Sequence, residues 1–246
     1  MLIATVLRSG GDYTPEHVQW LHRQLPQDVP AVCFSDIDIP GVKTIPLRHN
    51  WPGWWAKLEL FRPDIHEDIF FLDLDTVITG DISTLLAEKR LMMLNDFYHP
   101  EFAASGVMRI PHEVKHEVWH RFTFNPERHM RIHRIAGDQG FLSRTLTPAR
   151  WQDNYPNQFI SYKAHVAACW MPGFTETRSA GDGTLPTDAR IVCFHGFPRP
   201  WEVQLDWIPT YATENAKSLP QAGMSQHDNR PKWLLRRASR RGLAAI

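Results

Sequence analysis

The run Phe71-Leu72-Asp73-Leu74-Asp75-Thr76-Val77 sets two carboxylates two residues apart, directly after an apolar, strand-like segment. Like charges held that close repel unless a cation lies between them. A hard divalent ion with carboxylate and water ligands, Mn²⁺ or Mg²⁺, suits such a pair. The alternative is a solvated turn in which Asp75 caps the next segment. A second constellation is His112-Glu113-Val114-Lys115-His116, an HExxH match extended by His120. On a helix its two histidines would share a face, with Glu113 placed to activate a zinc-bound water. Pro111 puts the motif in a helix's first turn, and Val114, Val118, Trp119 and Phe122 form an apolar stripe that leaves the histidines outside. An exposed histidine face is the preferred reading, a zinc peptidase the alternative.

The elements that must position these groups alternate along the chain. Leu2 to Leu7 reads as a first strand, closed by the turn cluster Arg8-Ser9-Gly10-Gly11-Asp12. Thr14-Pro15-Glu16 opens a helix carrying Val18, Leu21 and Leu25. Pro30 to Phe34 and Val42 to Ile45 read as strands, Trp54 to Phe61 as a helix after Gly53, and Asp68 to Leu72 as a short buried strand. This rhythm predicts an α/β fold with a mostly parallel central sheet and helices on both faces. Ligands in such sheets collect beyond the carboxyl ends of the strands. Arg8 to Asp12, Ser35-Asp36 and Asp73 to Asp75 all fall at those ends. After residue 150 the pattern degrades: Pro172 to Pro186 reads as a long loop region, and Arg190 to Phe194 as a late strand before His195-Gly196.

The 246 residues, 43% hydrophobic and 22% charged, fit a globular chain with a sizeable core and exclude a disordered or polytopic membrane protein. The opening residues lack the pattern of a signal peptide, and Cys33, Cys169 and Cys193 form no CxxC pair. Buried free thiols and a reducing cytoplasm are the expectation. Net charge is zero, yet residues 229–246 hold six of the 27 basic residues and no acid, leaving the body acidic. That balance does not fit a nucleic-acid-binding domain. Lys232 to Arg241 has a basic amphipathic character suited to an anionic membrane surface, with a solvated tail as the alternative.

Taken in order, Gly10-Gly11-Asp12-Tyr13, Asp36, Trp55-Ala56-Lys57, Asp73-Leu74-Asp75, Ser105-Gly106-Val107, Gly137-Asp138-Gln139, His195-Gly196 and Pro198-Arg199-Pro200-Trp201 resemble the GT-A glycosyltransferases. The likeness is nearest to glycosyltransferase family 8, the glycogenin and lipooligosaccharide galactosyltransferase group, and spans roughly residues 1–205. It implies a Rossmann-like GT-A domain over residues 1–213, followed by a basic tail over 214–246. It also implies metal-dependent transfer of a sugar from a nucleotide sugar, most simply UDP-linked, with retention, to a glycan, lipid-linked or other hydroxyl acceptor. Asp73 and Asp75 match the DxD pair that grips the metal, and His195 the third ligand. Asp138 and Gln139 match the pair facing the transferred sugar; the alternative for Asp138 is a helix cap. Leu7, Arg8, Gly10, Asp12, Asp36, Lys57, Asp73, Leu74, Ser105, Gly196, Arg199 and Trp201 match donor-side positions. Arg199 stands where the family has Lys, and His195 abuts Gly196 where the family has two intervening residues. Membrane contact at the inner face through the tail would suit a lipid-linked acceptor. Trp51, Trp54, Trp55, Trp170, Trp201 and Trp207 lie near these segments, as acceptor platform or as core. A phosphatase-like hydrolase at Asp73 and Asp75, or a non-catalytic sugar-nucleotide or glycan-binding module, are the other readings.

Overall fold

The computed structural model describes residues 1–167 and 182–211. Cys169, Trp170, much of the predicted loop from Pro172 to Pro186, and the basic tail for which a membrane contact is expected lie outside the described residues. The chain opens with β1 (Leu2–Leu7), α1 (Pro15–His22), β2 (Ala31–Ser35) and β3 (Thr44–Pro46). A 3-10 helix, Gly53–Phe61, stands where the sequence predicts an α-helix. Then come β4 (Ile69–Leu72), β5 (Thr76–Ile78), α2 (Ser83–Leu86), β6 (Met92–Asn95), β7 (Ala103–Ile110), α3 (His112–Phe124), α4 (Pro126–Ile132) and α5 (Gly137–Thr145). The later elements are β8 (Ala149–Arg150), α6 (Trp151–Asn154), β9 (Phe159–Ser161) and β10 (Ile191–Cys193).

Seven strands form the central sheet in the order β3-β2-β1-β4-β7-β6-β8. β7 runs antiparallel to β4 and β6, and the other neighbours pair in parallel. The sheet is buried on both faces, so alternate residues of one strand enter different cores. Ile3, Phe70, Leu72 and Val107 pack with Val18 and Leu21 of α1. Ala4, Ile69, Phe71 and Met108 pack instead with Leu58 and Phe61 of the 3-10 helix, Phe122 of α3 and Phe141 of α5. Helices on both faces follow from that two-sided apolar content.

The 3-10 helix is anchored by an ion pair that no periodicity signals. Glu59 is fully buried, accepting from Arg62 Nη1 at 2.9 Å and from the backbone N–H groups of Arg48 (2.7 Å) and His49 (2.9 Å). A smaller sheet, β5-β10-β9, pairs Thr76 with Cys193. Phe194 N–H then donates to the carbonyl of Asp75 at 3.2 Å, which brings the segment after β10 against the aspartate pair.

α3 carries the HExxH match. Pro111 precedes its first turn without a capping hydrogen bond, and His112, Glu113, His116 and His120 are all exposed while Val118 and Phe122 are buried. Among the described residues no three His, Cys, Asp or Glu side chains gather as a metal cage there or elsewhere. Lys115 is the exception on this polar surface. Its stem is buried and Nζ donates to the carbonyls of Ile65 (3.1 Å) and Glu67 (2.6 Å).

Candidate active site

A cavity of about 600 Å³ opens at the carboxyl ends of β1, β4 and β10, bounded by the start of α5 and the 3-10 helix. Leu7, Arg8, Asp12, Lys57, Asp73, Leu74, Asp75, Ser105, Asp138, Gln139, His195, Gly196 and Arg199 all line it. Residues separated by most of the chain thus meet at one strand-end site.

Two cations divide the carboxylates between them. Lys57 Nζ lies 2.8 Å from Asp73 Oδ1, 3.0 Å from its Oδ2 and 3.7 Å from Asp138 Oδ2. Ser105 Oγ donates to that same Asp138 oxygen at 2.7 Å. Burial alone would lower the Lys57 pKa, but Asp138 and Asp73 outweigh it and hold the ammonium above its ordinary value. Burial pushes Asp73 up, with Lys57 opposing and Asp75 adding to the rise. On the other side, Arg199 Nη1 donates to Asp75 Oδ2 and to the Tyr13 hydroxyl, and Nη2 lies 3.4 Å from Asp12. The guanidinium also sits 4.7 Å from the Tyr13 ring centroid.

His195 takes a positive φ of 34° after β10. Its Nε2 is 2.6 Å from Ser161 Oγ, and its Nδ1 is buried with no hydrogen-bond partner among the described residues. Burial, with Lys163 adding to it, lowers its pKa to about 4, so the ring is neutral at pH 7. Gln139 Nε2 donates to Asp96 Oδ2, and Asp96 Oδ1 accepts from the N–H groups of Tyr98 (2.7 Å) and His99 (3.1 Å).

The donor set can be tested against a divalent ion. Asp73, Asp75 and Asp138 are three carboxylates facing two cations, Lys57 and Arg199, which leaves a formal negative charge uncompensated. Hard oxygen ligands at strand ends, carrying surplus charge, fit Mn²⁺ or Mg²⁺, which keep several waters and phosphate oxygens in their shell. Asp73 and Asp75 therefore fit such an ion. His195 does not join them in a three-ligand cage, and its unpartnered Nδ1 is the nitrogen left to accept.

Three expected positions do not line the cavity. Asp36 accepts from Ser9 N–H (2.8 Å) and Ser9 Oγ (2.6 Å) and pairs with Arg8 Nη1 at 3.0 Å. Gly10 sits in the turn after β1 with φ 82°, where its lack of Cβ permits the bend. Trp201 stacks on His17 at 3.8 Å and meets Tyr13 edge-on at 6.1 Å. Its place is to back Tyr13. Trp54, one of the tryptophans offered as acceptor platform or core, lines the cavity, and so do Tyr13 and Asp96, which the sequence reading assigns no role. Asp96 carries the signal used for Asp73, an acid directly after an apolar strand; Tyr13 lies inside the quoted glycine motif.

No protein-family model matches the chain, and no curated protein matches it in sequence. Solved structures do. The glycosyltransferase GlyE of Streptococcus pneumoniae TIGR4 superposes with a TM-score of 0.56 at 15% identity, over 81% of this chain and 55% of GlyE. The chain thus spans about half of that protein's length. The galactosyltransferase LgtC, solved with donor and acceptor sugar analogs, gives 0.52 at 13% identity, over 82% of this chain and 89% of LgtC. The bifunctional WbbM enzyme gives 0.50 at 12% identity, over 81% and 46%. At these identities the likeness shows the fold: the chain has the GT-A architecture of these glycosyltransferases.

Proposed function

We propose that this chain is a metal-dependent glycosyltransferase moving a sugar from a UDP-linked donor to a hydroxyl on a glycan or lipid-linked acceptor. The observation that carries this is the strand-end cavity in which Asp73, Asp75 and Asp138 face Lys57 and Arg199. The GT-A architecture supports it, as does the LgtC complex with donor and acceptor sugar analogs.

Asp73 and Asp75 would hold Mn²⁺ or Mg²⁺, and His195, which the resemblance makes the third ligand, would have to turn its ring toward them to join. When bound, a divalent ion neutralises the diphosphate and stabilises it as leaving group. Arg199 donates charge-assisted hydrogen bonds to phosphate oxygens from beside Asp75. Lys57, held between Asp73 and Asp138, adds positive charge on the same side. The nucleoside goes to the ends of β1 and β2, where Leu7, Arg8 and Asp12 line the wall and Asp36 holds Arg8 in place. As the glycosidic bond breaks, the sugar gains oxocarbenium character, and the negative charge of the Asp138 carboxylate would stabilise it. Gln139 has its amide nitrogen on Asp96, leaving its carbonyl oxygen for the sugar. Retention is the outcome the resemblance implies, the donor phosphate itself taking the acceptor's proton. The basic tail is the proposed contact with a membrane carrying lipid-linked acceptors. No described helix is long and apolar enough to cross a membrane.

A screen of nucleotide sugars for Mn²⁺-dependent thermal stabilisation tests the reading, because a ligand that binds only the native state raises its stability. UDP-sugars are expected to stabilise, and slow hydrolysis of the bound donor separates a transferase from a binding module. A chain stabilised by none of them contradicts the proposal.

A further inference from the structure

Among the described residues Trp54 is the exposed tryptophan, at 51%, while its neighbours Trp51 and Trp55 are buried. Residues three apart eclipse in a 3-10 helix, so Trp54 and Lys57 share one edge of Gly53–Phe61, and both line the cavity. Ile135, 85% exposed, lines the same rim beside Asp138 and Gln139.

The contact between Trp54 and Gly137 fixes how the indole is presented. Gly137 has φ 62°, and a Cβ built there would lie 2.4 Å from Trp54 Nε1 and 2.7 Å from both Cδ1 and Cε2. An approach in the ring plane would leave those two carbons much farther away than the nitrogen. The near-equal distances put the position above the pyrrole face. One face of the indole therefore rests on a backbone that only glycine leaves open, and the half-exposed side chain offers its other face outward. Among the described residues no ring or cation stacks on Trp54, and no hydrogen-bond partner is found for its indole N–H.

We infer that Trp54 is a stacking platform for the pyranose ring of the acceptor, propped by Gly137 beside Asp138. An indole face with a free N–H matches the apolar C–H face of a pyranose with a hydroxyl at its edge. The donor sugar is tied through its diphosphate to the Asp73–Asp75 end, whereas Trp54 stands on the exposed rim past Asp138, where the second sugar must enter. This inference rests on the glycosyl-transfer reading.

The test is saturation-transfer NMR on the full chain with diamagnetic Mg²⁺ and UDP, using methyl α- and β-pyranosides of glucose, galactose and mannose as probes. UDP binding is measured first by calorimetry. At least one pyranoside is expected to show saturation concentrated on the C–H protons of one ring face. Trp54→Ala is expected to weaken that binding about tenfold, and Trp54→Phe to recover most of it. The melting temperatures of the variants report their folding. Failure of UDP to bind overturns the transferase reading itself. UDP binding with no pyranoside saturation, or with saturation equal in Trp54→Ala, overturns the platform alone.

Discussion

Arg199 and Asp75 meet across 124 residues of sequence, the guanidinium of one donating to the buried carboxylate of the other. The contact exists because β5 and β10 pair, which lays the segment after β10 against the loop after β4. It sets a phosphate-seeking cation beside one of the two aspartates proposed to hold the metal. Leaving-group charge grows as the sugar departs, so the Arg199 contact should strengthen toward the transition state.

Arg199→Ala is accordingly expected to lower kcat about tenfold to a hundredfold and to weaken UDP binding by less. Arg199→Lys should restore much of the loss. Steady-state kinetics beside UDP calorimetry measure the split. Turnover unchanged in Arg199→Ala would leave the Pro198 to Trp201 segment a structural turn.

The two histidine constellations separate cleanly by mutation. His195→Ala is expected to cut turnover strongly, and Glu113→Ala to leave it unchanged, since Glu113 is exposed on α3 away from the cavity lining. Metal analysis of the purified protein completes the comparison. A dead Glu113→Ala protein that carries zinc would restore the peptidase reading.

Glu59→Ala removes the carboxylate that Arg48 N–H, His49 N–H and Arg62 Nη1 share. Breaking a buried ion pair on one side costs about 3–5 kcal/mol. Denaturant unfolding is expected to register a loss of that order. Arg62 keeps Asp64 at 3.1 Å, so a loss well under 1 kcal/mol would mean Asp64 alone suffices to hold it.

Lys115 gives a pH signature. Burial lowers its pKa from 10.5 to about 8. The unfolded chain therefore binds more protons than the folded one between about pH 8 and 10.5, and stability contributed at this residue rises with pH across that window. Relative to Lys115→Met, the native protein should gain up to about 1.4 kcal/mol per pH unit there. Chemical denaturation of both proteins at pH 7.5, 8.5 and 9.5 measures it, and parallel curves would contradict it.

Much of this was legible in the sequence for a plain physical reason: strands buried on both faces are unbroken apolar runs, and the acids that end them stand out. Leu2–Leu7 and Ile69–Leu72 are such runs, and Asp73 follows directly. β5, β9 and β10 have three residues each, too few for a period, so the second sheet that carries Arg199 to Asp75 leaves no local trace beyond the late apolar run. Gly53–Phe61 shows its apolar content but not its pitch, because six of its nine residues are buried and no narrow stripe marks one period against the other. Trp201 illustrates a different limit. Its motif marks the segment, but only three-dimensional packing reveals that His17 and Tyr13 occupy its ring faces and edge.

The central claim is that Asp73 and Asp75 hold a divalent ion against a nucleotide-sugar diphosphate. Calorimetric titration of UDP into the native protein and into Asp75→Ala, each with and without Mn²⁺, tests it most directly. Asp75 lines the cavity and pairs with Arg199, so the melting curve of the variant checks that it folds before its binding is read. UDP binding is expected to need Mn²⁺ in the native protein and to disappear in Asp75→Ala. UDP binding of equal strength in both proteins, or binding indifferent to Mn²⁺, would contradict it.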